Sequence, residues 1–154
     1  MNIRKEIVSH ENLGVNFLGL TLLSKEEYSE IKGFLPSPEF YWWWLRSPGQ
    51  ENGCVLSVDC YGGFRSVGAG VVGAVRPALI LSPDSTNLEL GDKFEFFGKN
   101  WLVVSEKYAL CSEFLSPMVF REKWRVTNAS NYEKSDIKKY LDELWEEWKN
   151  ADSN

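Results

Sequence analysis

Cys54, Cys60, Cys111 and His10 are the soft or borderline metal ligands of this sequence, and they define its most obvious candidate for metal chemistry. Structural zinc draws its ligands from closely spaced pairs, and the interval from Cys54 to Cys60 is wider than such pairs allow. A calcium site needs converging oxygens on one loop, and Asp84, Asn87, Glu89 and Asp92 lie near one another without a recognisable ligand spacing. No metal and no cofactor are expected. A serine or cysteine nucleophile needs a base, and the single histidine, His10, lies in a polar N-terminal stretch. The adjacent carboxylates Glu26 and Glu27, Asp142 and Glu143, and Glu146 and Glu147 read as solvated helix faces rather than acid–base pairs. The chain is therefore expected not to be an enzyme.

What remains is recognition chemistry. Trp42, Trp43 and Trp44 alternate faces if they lie on a strand, so at least one ring is expected to point outward or into a groove. The plainer outcome is two rings in the core and a third against a loop; the sharper one is a platform of Trp42 and Trp44 on which a sugar or base stacks. Arg46 and Arg76 have forks suited to a carboxylate or phosphate. Their positions beside Ser-Pro and Pro favour a structural use, stacked on Trp and bonded to carbonyls at turns.

These residues need elements to position them. Ser24-Lys25-Glu26-Glu27 is a capping box, and Tyr28, Ile31 and Leu35 follow at helical spacing until Pro36 and Pro38 stop the run. The stretch from Val15 to Leu23 reads as a short buried strand. Between Gly49 and Gly73 lie seven of the twelve glycines. There Cys54 to Asp59 alternates as a strand, Tyr61-Gly62-Gly63 turns, and Phe64 to Val67 returns. Val75 to Leu81 reads as one further strand, with Pro77 forcing an edge or a bulge. Lys93 to Phe97 and Trp101 to Ser105 form a hairpin across Gly98-Lys99-Asn100, and Tyr108 to Cys111 adds a strand. The last element is an amphipathic helix capped by Ser135, with Ile137, Tyr140, Leu141, Leu144, Trp145 and Trp148 on one face. Asp142, Glu143, Glu146 and Glu147 occupy the other. The fold class is α+β, with small antiparallel sheets and two flanking helices. One domain spans the chain, in two halves at about residues 15–82 and 88–150, joined through Ser82 to Asn87.

At Trp43 to Gly49 and at Val75 to Leu79 the sequence resembles an uncharacterised domain family of Firmicutes and their phages. Its members carry a Trp-Trp-Leu-Arg-Ser-Pro-Gly element, a variable Gly-rich hairpin, and a Gly-Val-Arg-Pro-Ala-Leu element; here Ala74 stands where the family usually has Gly. That family is distantly similar to formylglycine-generating-enzyme and C-type-lectin-like folds, so the resemblance implies a lectin-like scaffold. The paired-cysteine metal signature of the formylglycine enzymes is missing, and their activity does not carry over. In the family, a segment like Phe97 to Val104 and a helix like Ser135 to Leu141 usually precede the Trp-Leu-Arg element. This chain has the halves in the opposite order and reads as circularly permuted; exchange of halves between two chains, giving a swapped dimer, is the alternative.

Length and charge narrow the partner. The 154 residues are enough to bury a core without staples. A net charge of −5 with scattered Lys and Arg argues against nucleic acid as a direct ligand. No stretch is apolar enough to span a bilayer, the first ten residues lack a secretory apolar run, and three cysteines make an odd count, so a cytoplasmic location with reduced thiols is expected. The function expected is that of a non-enzymatic domain, monomeric or homodimeric, that binds a host or bacterial protein. A phage-borne inhibitor of a defence system such as CRISPR–Cas is its specific form. Partner contact is assigned to Tyr61, Phe64 and Arg65 in the Gly-rich region, and to Asp142, Glu143, Glu146 and Glu147, whose charge suits a basic nucleic-acid groove. A small-ligand module for carbohydrate or nucleotide, built on Trp42, Trp44 and Arg46, is the alternative.

Overall fold

A computed structural model of the chain describes residues 8–9, 17–35, 41–83, 87–126 and 128–152. In chain order the strands are β1 (Val8–Ser9), β2 (Phe17–Thr21), β3 (Trp43–Pro48), β4 (Cys54–Val58), β5 (Phe64–Gly68), β6 (Val72–Val75) and β7 (Ala78–Leu81). They continue with β8 (Lys93–Phe96), β9 (Lys99–Val103), β10 (Tyr108–Cys111) and β11 (Leu115–Val119). The helices are α1 (Lys25–Ile31) and α2 (Asp136–Asp152). The class is α+β.

Two sheets form, in the orders β1-β8-β9-β10-β7-β2 and β11-β6-β3-β4-β5. Both are mixed rather than purely antiparallel, because β1 runs parallel to β8 and β3 parallel to β6. Each sheet draws strands from both sequence halves. Tyr108 of β10 pairs with Ile80 of β7, and Leu115 of β11 pairs with Val75 of β6. β11, with its polar and proline residues, gave no strand pattern in the sequence; it pairs with β6 at a register shift between Leu115 and Met118.

The expected strand from Val75 to Leu81 is two strands in two different sheets. β6 belongs to the five-stranded sheet and β7 to the six-stranded one, and Arg76-Pro77 is the step between them. Pro77 has no N–H to give a ladder, so the chain changes partners there. Cys111 holds the step from outside through two main-chain contacts. Cys111 donates its amide to the Pro77 carbonyl at 2.9 Å, and its own carbonyl accepts from Arg76 Nε at 2.8 Å. Arg76 is only 6% exposed, and its guanidinium lies 5.1 Å over the Trp43 ring.

The β8–β9 connection also differs from expectation. It is the two residues Phe97-Gly98, both at positive φ (50° and 71°), with Lys99 already paired to Phe96. This is the mirror-image turn that matches the twist of a hairpin. Phe97 tolerates the left-handed conformation because its ring stacks on Trp148, centroids 5.2 Å apart and 3° from parallel.

Helix α1 begins as expected: Ser24 Oγ accepts from the Glu27 amide and Glu27 Oε1 accepts from the Ser24 amide. Its helical hydrogen bonding tightens to a 3-10 turn over Lys32–Phe34, earlier than the Leu35 limit read from the spacing. Pro36 and Pro38 lie outside the described residues. Helix α2 is capped by Ser135, whose hydroxyl accepts from the Lys138 amide at 3.0 Å. It buries Ile137, Leu141 and Trp148 against the six-stranded sheet; full burial of each aliphatic side chain contributes about 2 kcal/mol. Trp148 meets Phe96 and Trp101 edge-on as well as stacking on Phe97. Among the described residues, no helix is long and apolar enough to cross a membrane.

Candidate functional site

The three-tryptophan run keeps strand alternation, but both faces of its sheet are covered. Trp43 points to the cluster that contains Tyr28, Ile31 and Leu45, and Trp44 to the one containing Val75 and Phe120. Trp44 has no exposed surface, and its Nε1–H donates to the Met118 carbonyl at 3.1 Å. It therefore cannot offer a face to a ligand, which corrects the platform expectation. Trp42 is half-buried and meets Trp44 edge-on at 4.9 Å. Both rings close on Gly73: a Cβ there would lie 2.3 Å from Trp42 Cη2 and 2.8 Å from Trp44 Nε1. Only glycine admits that approach.

Arg46 is fastened to the corner between β2 and α1. Its Nη1 donates to the Leu22 carbonyl at 2.7 Å and pairs with Glu27 Oε1, the same oxygen that closes the capping box. Next to it, Ser47 Oγ accepts from the Lys25 amide at 2.8 Å. Burial pushes the Glu27 carboxyl up, but hydrogen bonds from Arg46, Tyr108 and the Ser24 amide, with the Arg46 charge, outweigh it and hold Glu27 at about 2. Burial raises the Tyr108 hydroxyl, and its bond to Glu27 raises it further. The motif's Arg-Ser pair thus locks a helix start in place.

The Gly-rich region presents its candidates in different ways. Tyr61 is 85% exposed at the tip of the β4–β5 turn. That turn is set by Asp59, whose Oδ1 accepts from the Tyr61 and Gly63 amides, both at 2.9 Å, and by Tyr28 Oη donating to the Gly62 carbonyl at 2.8 Å. Phe64 is half-buried edge-on to Tyr28, with Lys25 Nζ 5.6 Å above its ring. Arg65 is exposed on β5, an edge strand. Lys25, Ser47, Phe64 and Arg65 share one cleft of about 570 Å³. Among the remaining polar candidates, Cys111 is buried and Cys54 and Cys60 are half-buried. His10 and Asp84 lie outside the described residues. Asp92 is buried and accepts from the Glu89 amide at 2.9 Å, a turn contact. Among the described residues, no group of three His, Cys, Asp or Glu is placed to hold a metal ion.

On α2, Asp142, Glu143, Glu146 and Glu147 are all exposed, opposite the face that packs on the sheet. Lys138 pairs with Asp142 at 2.7 Å and Lys149 with Glu146 at 3.1 Å. Both are solvent-facing pairs of small energetic weight. Among the described residues no ion pair reaches Glu143 or Glu147.

Two regions that are far apart in sequence meet in a groove of about 540 Å³ beside β2. One wall carries Lys138, Asp142 and Glu146 of α2; Arg46, Tyr108 and Tyr132 also line it. Tyr132 Oη accepts from the Leu22 amide at 3.2 Å and lies 3.2 Å from Thr21 Oγ1. Burial raises the Tyr132 hydroxyl, while the hydrogen bond to Asp142 raises Lys138. With Glu27 held low and the tyrosines and lysine held high, these groups keep fixed protonation states at neutral pH. Thr21, Tyr108, Tyr132 and Lys138 were not legible as site residues, because contacts spanning about a hundred residues leave no periodic trace; Thr21 to Tyr132 is 111 residues.

A family model described as a domain of unknown function, DUF6273, matches residues 5–83. The matched segment contains both Trp43 to Gly49 and Val75 to Leu79 and stops before β8. No curated protein and no solved structure matches the chain.

Proposed function

The chain belongs to DUF6273, a domain family of unknown function, and from that premise we propose that it is a non-enzymatic protein-binding domain whose contact surface is the outer face of α2. One observation carries the reading. Asp142, Glu143, Glu146 and Glu147 form a continuous exposed stripe on a helix whose opposite face is anchored by Ile137, Leu141 and Trp148. An acidic stripe on an anchored helix binds with its backbone already ordered and is complementary to a basic groove of the kind that holds nucleic-acid phosphates.

The partner we propose is a host or bacterial protein with such a groove, met in the cytoplasm. The specific form is a phage-borne inhibitor of a nucleic-acid-guided defence system such as CRISPR–Cas. The scaffold we propose is C-type-lectin-like with its halves permuted. The pairing of β7 with both β2 and β10, and the Leu81 amide donating to the Lys107 carbonyl at 2.8 Å, support a join between the halves that needs little rearrangement. A swapped dimer would show as a doubled mass in light scattering at micromolar concentration.

The test is the combined substitution D142N/E143Q/E146Q/E147Q. The wild-type chain is used to capture and identify a partner from a host lysate, and affinities of wild type and variant for that purified partner are then compared. The expected result is at least a hundredfold loss of affinity, about 3 kcal/mol, with unchanged circular dichroism. Unchanged affinity would remove the reading.

A small-ligand module remains a second reading at one place only. The cleft of Lys25, Ser47, Phe64 and Arg65 offers two cations and a ring to an anionic, planar ligand. Titration calorimetry with nucleotides and acidic sugars tests it; no heat at millimolar ligand, or heat unaltered by R65A, sinks it.

A further inference from the structure

Helix α1, the chain leading into β8 and the β9–β10 turn enclose a groove of about 890 Å³. Its floor is apolar, with Ile31, Leu81, Val103 and Val104 all buried. Phe34, 51% exposed, stands at its mouth. Glu30, Glu89 and Glu106 are exposed along the rim, and Lys107 is the cation that lies with them. Among the described residues no ion pair reaches any of the three carboxylates. Three carboxylates against one ammonium leave this apolar groove with an excess of two negative charges.

Residues 121–126, which follow β11, have the opposite character. Arg121, Lys123 and Arg125 enter no ion pair among the described residues. Even with Asp136 counted beside Glu122, the three cations remain in excess. Trp124 is 47% exposed and Val126 41%, next to Val71 and Val72 at 47% and 60%. These four are half of the eight large apolar side chains left exposed among the described residues, so apolar surface is concentrated here rather than scattered. Trp124 closes on Gly70, where a Cβ would lie 2.3 Å from its Cδ1, and Arg125 lies 4.7 Å over its ring. The root of the segment is fixed. The Arg121 amide donates to the Ala69 carbonyl at 3.0 Å, and the Glu122 amide to Asp136 Oδ2 at 2.8 Å. No residue of the segment lines the groove of its own chain.

We propose that copies of this chain associate through these unlike surfaces, residues 121–126 of one copy seating on the groove rimmed by Glu30, Glu89 and Glu106 of another. Trp124 and Val126 meet Phe34 and the apolar floor, while Lys123 and Arg125 meet the rim carboxylates. A second copy is the occupant because the chain itself carries what the groove lacks, exposed apolar side chains among unpaired cations. A chain of net charge −5 has few such places. Each copy holds one surface of each kind, so the contact is heterologous. The inference goes beyond the protein-binding reading above and shares no residue with the outer stripe of α2.

Sedimentation equilibrium of the full chain is the test. Wild type is expected to be half-associated at roughly 100 μM, the weak end of specific contacts. K123E/R125E on the segment and E30K/E106K on the groove, all at exposed positions, are each expected to weaken self-association about tenfold or more, with unchanged circular dichroism. Mixed one to one, the two variants are expected to associate again, because the mixture keeps one wild-type segment and one wild-type groove. A wild type that stays monomeric at about 1 mM overturns the proposal. So does association untouched by either pair of substitutions, as an exchange of halves would give, or a mixture no tighter than either variant alone. D142N/E143Q/E146Q/E147Q is expected to self-associate as wild type does; loss of association there would place the second copy on α2 and overturn the proposal. Failure of the self-association test leaves the outer-stripe reading to the partner-affinity assay, and failure of that assay leaves this contact standing.

Discussion

The Trp-Leu-Arg strand and the outer side of α2 are both dense in side chains that recognise ligands elsewhere, yet the fold uses them in opposite ways. In the first region, Trp44 donates to Met118, Arg46 to Leu22 and Glu27, and Ser47 accepts from Lys25. Those groups are turned inward, joining two sheets and a helix start. In the second, four carboxylates and the neighbouring edge of β2 are turned outward, and two of the carboxylates meet no cation among the described residues. The difference teaches that a stereotyped motif in this chain marks where the frame is closed. The outward-facing stripe of α2 carries commonplace residues.

Breaking the first region should break the fold. Replacing Trp44 with Ala removes a fully buried ring and orphans the Met118 carbonyl, and about 4 kcal/mol of unfolding free energy should be lost in urea titrations. A loss below about 1 kcal/mol would mean the ring is dispensable and the comparison is misdrawn. Gly73→Val drives a side chain into Trp42 and Trp44 and should cost about 2 to 3 kcal/mol, with a changed near-ultraviolet circular dichroism spectrum.

Effects shrink toward the surface. Glu27→Gln keeps the capping geometry but loses the charge of the Arg46 pair, and about 1 kcal/mol is expected because both side chains are part-exposed. The same carboxyl gives an acid signature. Its folded value near 2 lies below the ordinary 4.5, so its contribution is fully present above pH 4.5 and is lost as pH falls toward 2. Wild type should therefore lose its stability advantage over Glu27→Gln across that window, as urea midpoints against pH would show. A constant difference would contradict the assignment. At the far end of the scale, D142N/E143Q/E146Q/E147Q should alter stability by no more than about 0.5 kcal/mol while removing partner affinity. A large stability loss would move α2's outer stripe into the frame and erase the distinction.

How far the sequence could be read follows from the range of each interaction. The Ser24 capping box, the Tyr61-Gly62-Gly63 turn, the Ser135 cap and the amphipathic stripe of α2 are local, set by residues within a few positions of one another, and each stands in the structure where its pattern placed it. The α+β class follows from those same periodicities. Tertiary structure decided the rest. That Arg76-Pro77 is a step between two sheets depends on Cys111, 35 residues away from Arg76, and that both faces of the tryptophan strand are covered depends on β11 and α1. The groove beside β2 is the clearest case. It exists because Arg46, Tyr108, Tyr132 and the α2 carboxylates converge on one sheet edge, and no spacing along the chain encodes which strand is left at the edge of a sheet.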